Sequence, residues 1–359
     1  MVSRAVFAVP GDLNTVTGGY VYERNLLQSL RALGLDVSHL ALGGSFPEPT
    51  PADLAHAAAA LAAVDVEVPL ILDGFLVGAM PTAALAAVAA PMVGIVHHPL
   101  AHEEGLNDAR RAHLFRTERD NLSLLRAVLV PSPHTARILI GEYGVPAERV
   151  TVARPGTQRP SATPGPPQDG DAGKDRSPLV LAVGIQHPRK GHDVLLRALA
   201  RLADLPWRAV LAGTPHDADH VEELRRLTAL LGLESRVRLA GAVSDAERDG
   251  LYREADVFAL ATRYEGYGLV FDEALAHGLP IVSCRTGAVP DTVPSDAGVL
   301  APPDDPGAFA DALRPLLVDR AHRARLTAAA ARAGSRLPTW KDTATVTAGV
   351  LHTVSDGRS

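Results

Sequence analysis

Glu265 and Glu273 are separated by seven intervening residues, with Gly266-Tyr267-Gly268-Leu269 directly after the first of them. A carboxylate that accepts two hydrogen bonds suits the vicinal hydroxyls of a ribose or a hexose. Gly266 and Gly268 would expose backbone amides at a helix start, which is a place for an anion. Glu273 falls about two turns into that helix among apolar residues, so it is expected to be partly buried and to have partners. A capped surface helix is the plainer alternative. A second segment, Val183-Gly184-Ile185-Gln186-His187-Pro188-Arg189-Lys190-Gly191, follows an apolar run and precedes a helical pattern. It puts two cations at the carboxyl end of a strand, where a diphosphate would be held. A solvated charge pair on a loop is the alternative there. Thr17-Gly18-Gly19, just before a helical stretch, would also suit a phosphate, or could be no more than a tight turn. His97-His98 closes a fourth apolar run, and an imidazole there could bind hydroxyls or share a proton near pH 7.

Other clusters carry less. Asp169-Gly170-Asp171 has the spacing of a metal-binding pair but no apolar frame around it. His216, Asp217, Asp219 and His220 could ligate a metal, yet they read equally as a loop and helix cap. Arg110, Arg111, Arg116 and Arg119 make a partly basic helix of a kind that suits anionic lipid. Glu118 and Asp120 dilute it, so a solvated face is expected. No convincing metal site emerges, and metal-independent chemistry without a cofactor is expected.

These residues must be positioned by elements that the chain can build. Its 359 residues exceed what one core usually holds, so two domains are expected. With 47% hydrophobic and only 4% aromatic residues, the cores must be mostly Ala, Val and Leu. A net charge of −6 argues against a nucleic-acid partner. The single cysteine, Cys284, excludes an intrachain disulfide and is compatible with a cytoplasmic setting. No apolar run approaches the roughly 18 residues of a membrane span.

Short apolar runs at 5–9, 37–41, 70–72, 92–96 and 127–130 read as buried strands, with helical patterns such as 22–33 between them. A stretch rich in Pro, Gly, Asp and Ser, 157–178, interrupts the alternation and reads as a linker. Strands then resume at 179–183, 209–212, 237–239, 257–260 and 280–283. Helices are expected at 191–202, 221–231, 245–255, 268–277, 309–317 and 321–333. Alternation of this kind means doubly wound parallel sheets. The expected domains are therefore 1–156 and 179–338, with a last helix at about 339–355. Ligands of such sheets bind at the carboxyl ends of the strands.

The Glu265-Gly266-Tyr267-Gly268 segment with Glu273 resembles the signature of the retaining glycosyltransferases of family 4. The resemblance spans nearly the whole chain. Gly18-Gly19 looks like the family's N-terminal glycine loop, and 183–191 like its diphosphate loop. Gly241-Ala242-Val243 is similar to the loop that brackets the base, and Gly287-Ala288-Val289-Pro290-Asp291 to its Gly-Gly-x-Pro-Glu turn. The resemblance implies the GT-B fold: two Rossmann-like α/β domains facing a central cleft, the last helix returning to the first domain. It implies that Glu273 holds the donor ribose. Glu265, with the amides of Gly266, Tyr267, Gly268 and Leu269, would hold the sugar hydroxyls and phosphate. Arg189 or Lys190 would neutralise the diphosphate, assisted by the amide of Gly19. Val243 would border the base, and His97, with His98 behind it, would serve the reacting sugar. Two departures stand out. Ile185 occupies a position where many relatives carry Arg, and Asp291 one where Glu is common.

The implied reaction moves a hexose from a nucleoside-diphosphate sugar, UDP favoured, to an acceptor with retention at the anomeric carbon. A small polar or natural-product-like acceptor is expected. Glycoside phosphorolysis, sugar-nucleotide epimerisation and a non-catalytic sugar-nucleotide sensor are the rival readings. A membrane contact is weakly supported, and nothing in the residues speaks to the oligomeric state.

Overall fold

The computed structural model describes residues 4–15, 17–103, 105–159 and 176–356. The greater part of the expected linker, including Asp169 and Asp171, lies outside the described residues. The chain divides into two compact units. One runs to Gly156 and resumes at Pro338; the other is Thr157–Leu337.

In the first unit, six parallel strands are ordered β2-β1-β3-β4-β5-β6. They are β1 (Arg4–Pro10), β2 (Asp36–Leu42), β3 (Leu70–Leu72), β4 (Met92–Ile95), β5 (Ala127–Val130) and β6 (Val150–Val152). The inner strands β3, β4 and β5 are buried at every residue. That is the continuous apolar pattern of a parallel sheet covered on both faces. Two cores flank the sheet, one around Leu70, Leu72, Leu76 and Met80, the other around Phe7, Leu26, Leu30 and Ile71. The helix Trp340–Asp356 belongs to this unit. It packs on the helix Gly18–Ala32, with Trp340 edge-on to Tyr22 at 5.6 Å.

The second unit also has six parallel strands, ordered β12-β11-β10-β7-β8-β9. They are β7 (Leu179–Val183), β8 (Arg208–Ala212), β9 (Val237–Gly241), β10 (Val257–Leu260), β11 (Ile281–Cys284) and β12 (Gly298–Ala301). Counted within the unit this is the 3-2-1-4-5-6 order of the dinucleotide-binding fold, whose strand order reverses beside its first strand. The reversal falls between β7 and β10. In the first unit it falls between β1 and β3.

Two expectations need correction. Gly18 and Gly19 are not a loop: the helix begins at Gly18, so both glycines form its first turn. Glu118 is not on a solvated face. It is 3% exposed, and its carboxylate accepts the amides of Leu100 at 2.6 Å and Ala101 at 3.2 Å and the Tyr143 hydroxyl at 3.1 Å. It thereby holds the chain that follows His97-His98.

Candidate active site

In the second unit, the loops leaving β7 and β10 meet at the point of reversal. Gly191 makes the approach possible. Its φ is +61°, and a Cβ there would lie 1.9 Å from the Ala261 carbonyl oxygen. Only glycine tolerates both. This contact brings Lys190 to Glu265, with Nζ 2.6 Å from Oε1. Thr262 donates its hydroxyl to the same oxygen at 3.0 Å, and Arg189 NH1 lies 3.6 Å from Oε2. Arg189 also donates to the Tyr264 carbonyl at 2.9 Å. Lys190 and Glu265 are 9% and 4% exposed, so the pair is buried. Burial alone would raise Glu265, but the charges of Lys190 and Arg189 outweigh it and hold the carboxyl below its usual range. Burial, with Arg189 nearby, lowers Lys190.

Gly268 caps the helix Leu269–Ala276 and its carbonyl accepts the Phe271 amide at 2.9 Å, while the amides of Leu269 and Val270 precede the helix's own hydrogen bonds. Tyr267 donates its hydroxyl to the buried Asp272, which ties the loop to the helix. Glu273 is half-buried. It accepts the Tyr252 hydroxyl at 2.8 Å, and Arg248 stands at 3.9 Å. Burial raises its carboxyl above the ordinary value, with Arg248 and Tyr252 pulling the other way. Val243 precedes Ser244, the cap of the helix Asp245–Glu254 that carries Tyr252 and Arg248. Arg263 grips both oxygens of Asp193 at 3.0 and 2.9 Å and reaches Asp304 at 2.7 Å, which fixes the loop between them.

In the first unit, Gly18, Gly19, His97 and His98 come together. A Cβ on Gly19 would lie 3.3 Å from His97 Cδ2. His98 Nε2 is 2.5 Å from Glu103 Oε1. The Thr135 hydroxyl donates to the His97 carbonyl at 3.2 Å. Glu23, from the helix Gly18–Ala32, and Asp73, at the end of β3, join His97, and one ligand atom of each lies within 4.8 Å of the others. Glu23, Asp73, Tyr252 and Thr262 were not singled out in the sequence. Thr262 is close to Glu265 in the chain, and its position there was a signal to use. Tyr252, Glu23 and Asp73 are brought in from distant segments. Asp217, in the cluster weighed for metal, caps the helix Ala218–Leu230 by accepting the Asp219 amide at 2.8 Å.

Residues 16–158 match the family model for Glycosyltransferase Family 4, and residues 177–319 match that for Glycosyl transferases group 1. The chain belongs to glycosyltransferase family 4. A curated relative, the D-inositol 3-phosphate glycosyltransferase of Xylanimonas cellulosilytica, is 36% identical over 228 residues, which are 61% of this chain and 54% of the relative. The enzyme of the same name from Kineococcus radiotolerans is 35% identical over 55% of this chain and 50% of the relative. This family 4 chain thus spans about half the length of the curated relatives that it matches. Among solved structures, a sucrose-phosphate synthase from Thermosynechococcus elongatus has a TM-score of 0.78 at 21% identity, covering 98% of this chain and 99% of that one. Anabaena HepE, in complex with UDP and glucose, has a TM-score of 0.73 at 18% identity, covering 98% and 100%. The fold of this family 4 member is GT-B.

Proposed function

We propose that this chain is a retaining, metal-independent glycosyltransferase that moves a hexose from a UDP-sugar to a small polyhydroxylated acceptor. The observation that carries this reading is the buried Lys190–Glu265 pair at the reversal of the second sheet, beside the helix start at Gly268. Arg189 and Lys190 bring two positive charges to one place, as a departing diphosphate requires. The helix start adds roughly 0.3–2 kcal/mol toward an anion. Together these groups supply charge that a divalent cation provides elsewhere. Glu273 accepts the ribose hydroxyls through the carboxylate that Tyr252 steadies.

In the reaction the bond between the anomeric carbon and the diphosphate oxygen breaks, and the acceptor oxygen bonds to that carbon on the same face. The acceptor proton passes to the departing diphosphate. His97 serves the reacting sugar, as the family resemblance implies. The relatives' name supports a small polar acceptor, and a phosphorylated cyclitol is the first to test. HepE's bound UDP supports the donor class.

The test is calorimetric titration with UDP, GDP and ADP, repeated on Glu273→Ala. One nucleotide is expected to bind, and the variant to lose it. Binding of none would sink the reading. Turnover is then followed with UDP-sugars and D-inositol 3-phosphate. UDP release that needs the acceptor marks transfer. Donor isomerisation without an acceptor marks epimerisation, and release of a sugar phosphate on adding phosphate marks phosphorolysis.

A further inference from the structure

Glu23 and Asp73 have no part in the donor-side chemistry, yet they are among the most buried acids of the first unit, at 1% and 5% exposure. We propose that the two share a single proton at neutral pH, and that the resulting monoanion positions His97. The imidazole is thereby held neutral, with its hydrogen on Nε2 and its lone pair on Nδ1.

The geometry comes first. Oxygens of the two carboxyls and a nitrogen of His97 lie within 4.8 Å of one another. Two full negative charges that close, cut off from water, repel strongly, and one proton held between them removes that repulsion. Among the described residues, Glu23 Oε1 and His97 Nε2 are both buried without a hydrogen-bond partner, and they lie 3.7 Å apart. At that separation a hydrogen on Nε2 would be attracted to the oxygen, whereas a lone pair there would be repelled by it. The ring is held in place. Tyr22 packs edge-on at 5.1 Å, and Gly19 lies against Cδ2. Asp73 Oδ1 also accepts the Phe75 amide at 2.8 Å, which fixes the orientation of its carboxyl.

The charges agree. Burial raises Glu23 to about 7, with a hydrogen bond to Asp73 pulling down. Burial, then the charge of Glu23, raises Asp73 well above its usual range. Burial lowers His97 to about 4 even though Asp73 pulls it up. Below pH 7 the pair therefore holds two protons, from about pH 7 upward it holds one, and the imidazole stays neutral throughout, down to about pH 4. The other titratable groups around the pair do not disturb this. The Tyr20 phenol donates to the Pro10 carbonyl and is raised to about 12 by burial, then by the charges of Asp73, Glu23 and Asp12. The Tyr22 phenol donates to the Ala153 carbonyl and is also raised. His98 is paired with Glu103.

Fixing one nitrogen's hydrogen decides what the other offers, so Nδ1 is left as an acceptor for a substrate hydroxyl. That use of Nδ1 rests on the transferase reading; the protonation state and tautomer do not. The test begins with nitrogen NMR of the histidines and carbon NMR of the carboxyls in the full chain without ligands, from pH 5 to 8. His97 is expected to be neutral with hydrogen on Nε2, and the carboxyl signals to report one ionisation near pH 7. Glu23→Gln, whose amide oxygen still accepts, should keep the tautomer and abolish that ionisation. Asp73→Asn should also keep the tautomer while Glu23 still ionises, and it stands in should another variant fail to fold. Glu23→Leu should give a mixture of tautomers and lower kcat by about 100-fold, with the donor KM unchanged.

An imidazolium at pH 6, hydrogen on Nδ1, or an unmixed tautomer in Glu23→Leu would overturn the proposal. So would a divalent metal bound at one per chain and released by Glu23→Gln. If the spectra are as expected but no sugar is transferred, the transferase reading fails while the proton-sharing pair stands.

Discussion

Each unit buries an acid at the point where its strand order reverses, and the two are compensated in opposite ways. In the second unit Glu265 faces Lys190 at 2.6 Å, with Arg189 behind it, and is held below the usual carboxylate range. In the first unit Glu23 faces another acid, Asp73, and burial raises it to about 7. The burial is similar, at 4% and 1%, so burial alone does not set the outcome. The nearest partner does. A cation keeps the carboxyl charged over the working range and makes a permanent feature of the field that a donor would meet. A second carboxyl makes the site hold a proton that it can lose near neutrality.

The largest test of this contrast removes the cation. Lys190→Met leaves Glu265 buried with only Arg189 to answer it. Breaking a buried pair from one side costs about 3–5 kcal/mol. The loss should appear in urea unfolding, together with loss of turnover. Lys190→Met combined with Glu265→Leu should recover most of the stability and none of the turnover. A loss under about 1 kcal/mol from Lys190→Met would mean that the pair compensates little, and the contrast would collapse.

Much of this arrangement could be read from the chain, and the parts that could not share a cause. The buried strands at 70–72, 127–130, 179–183 and 257–260 appear as unbroken apolar runs and fold over those same residues. The strands β6 and β12 were not anticipated. Both lie at sheet edges, are short, and are partly exposed, so their apolar signal is weak. The donor-side groups Lys190, Glu265 and Glu273 lie in two contiguous segments, each with its own glycines to mark it. Glu23 has no such marker. Between Tyr22 and Arg24 on an amphipathic helix it reads as a surface residue, and only Asp73 and His97, delivered by the ends of two other strands, explain its burial. Glu118 was misread for the same reason: its partners Leu100, Ala101 and Tyr143 lie far away in sequence.

The next test is pH. The folded chain holds a proton on Glu23 that the unfolded chain gives up near 4.5, so the Glu23 contribution falls as pH rises from about 4.5 toward 7, and Asp73, raised as well, adds to the decline. A shift of that size corresponds to about 3 kcal/mol. Glu265 behaves in the opposite sense. Its contribution is present above the ordinary carboxylate value and is lost as pH falls through its lowered one. Unfolding free energies across pH 3–8 should therefore show both limbs. Glu23→Gln should make the upper limb shallower and leave the acid limb in place. An upper limb unchanged by this variant would assign it to another group.

Glu273 supplies the intermediate case and the smallest effect. Its nearest partner is neither a cation nor an acid but the phenol of Tyr252, at 2.8 Å, and its carboxyl is raised while remaining half-exposed. A neutral donor stabilises the charged carboxylate less than an ammonium does, yet enough to matter. Tyr252→Phe removes that bond and keeps the ring, which stacks on His277 at 5.0 Å. Loss of one hydrogen bond to a charged group, about 1.5 kcal/mol, should weaken UDP binding roughly tenfold at neutral pH. It should also move the carboxyl further up. UDP binding needs the charged form to accept the ribose hydroxyls, so affinity should decline as pH falls, and the decline should begin at higher pH in the variant than in the wild type. Calorimetric titration at several pH values measures both. If Tyr252→Phe weakens binding equally at every pH, the tyrosine shapes the pocket without tuning Glu273, and partner chemistry would then explain the two fully buried acids but not this half-buried one.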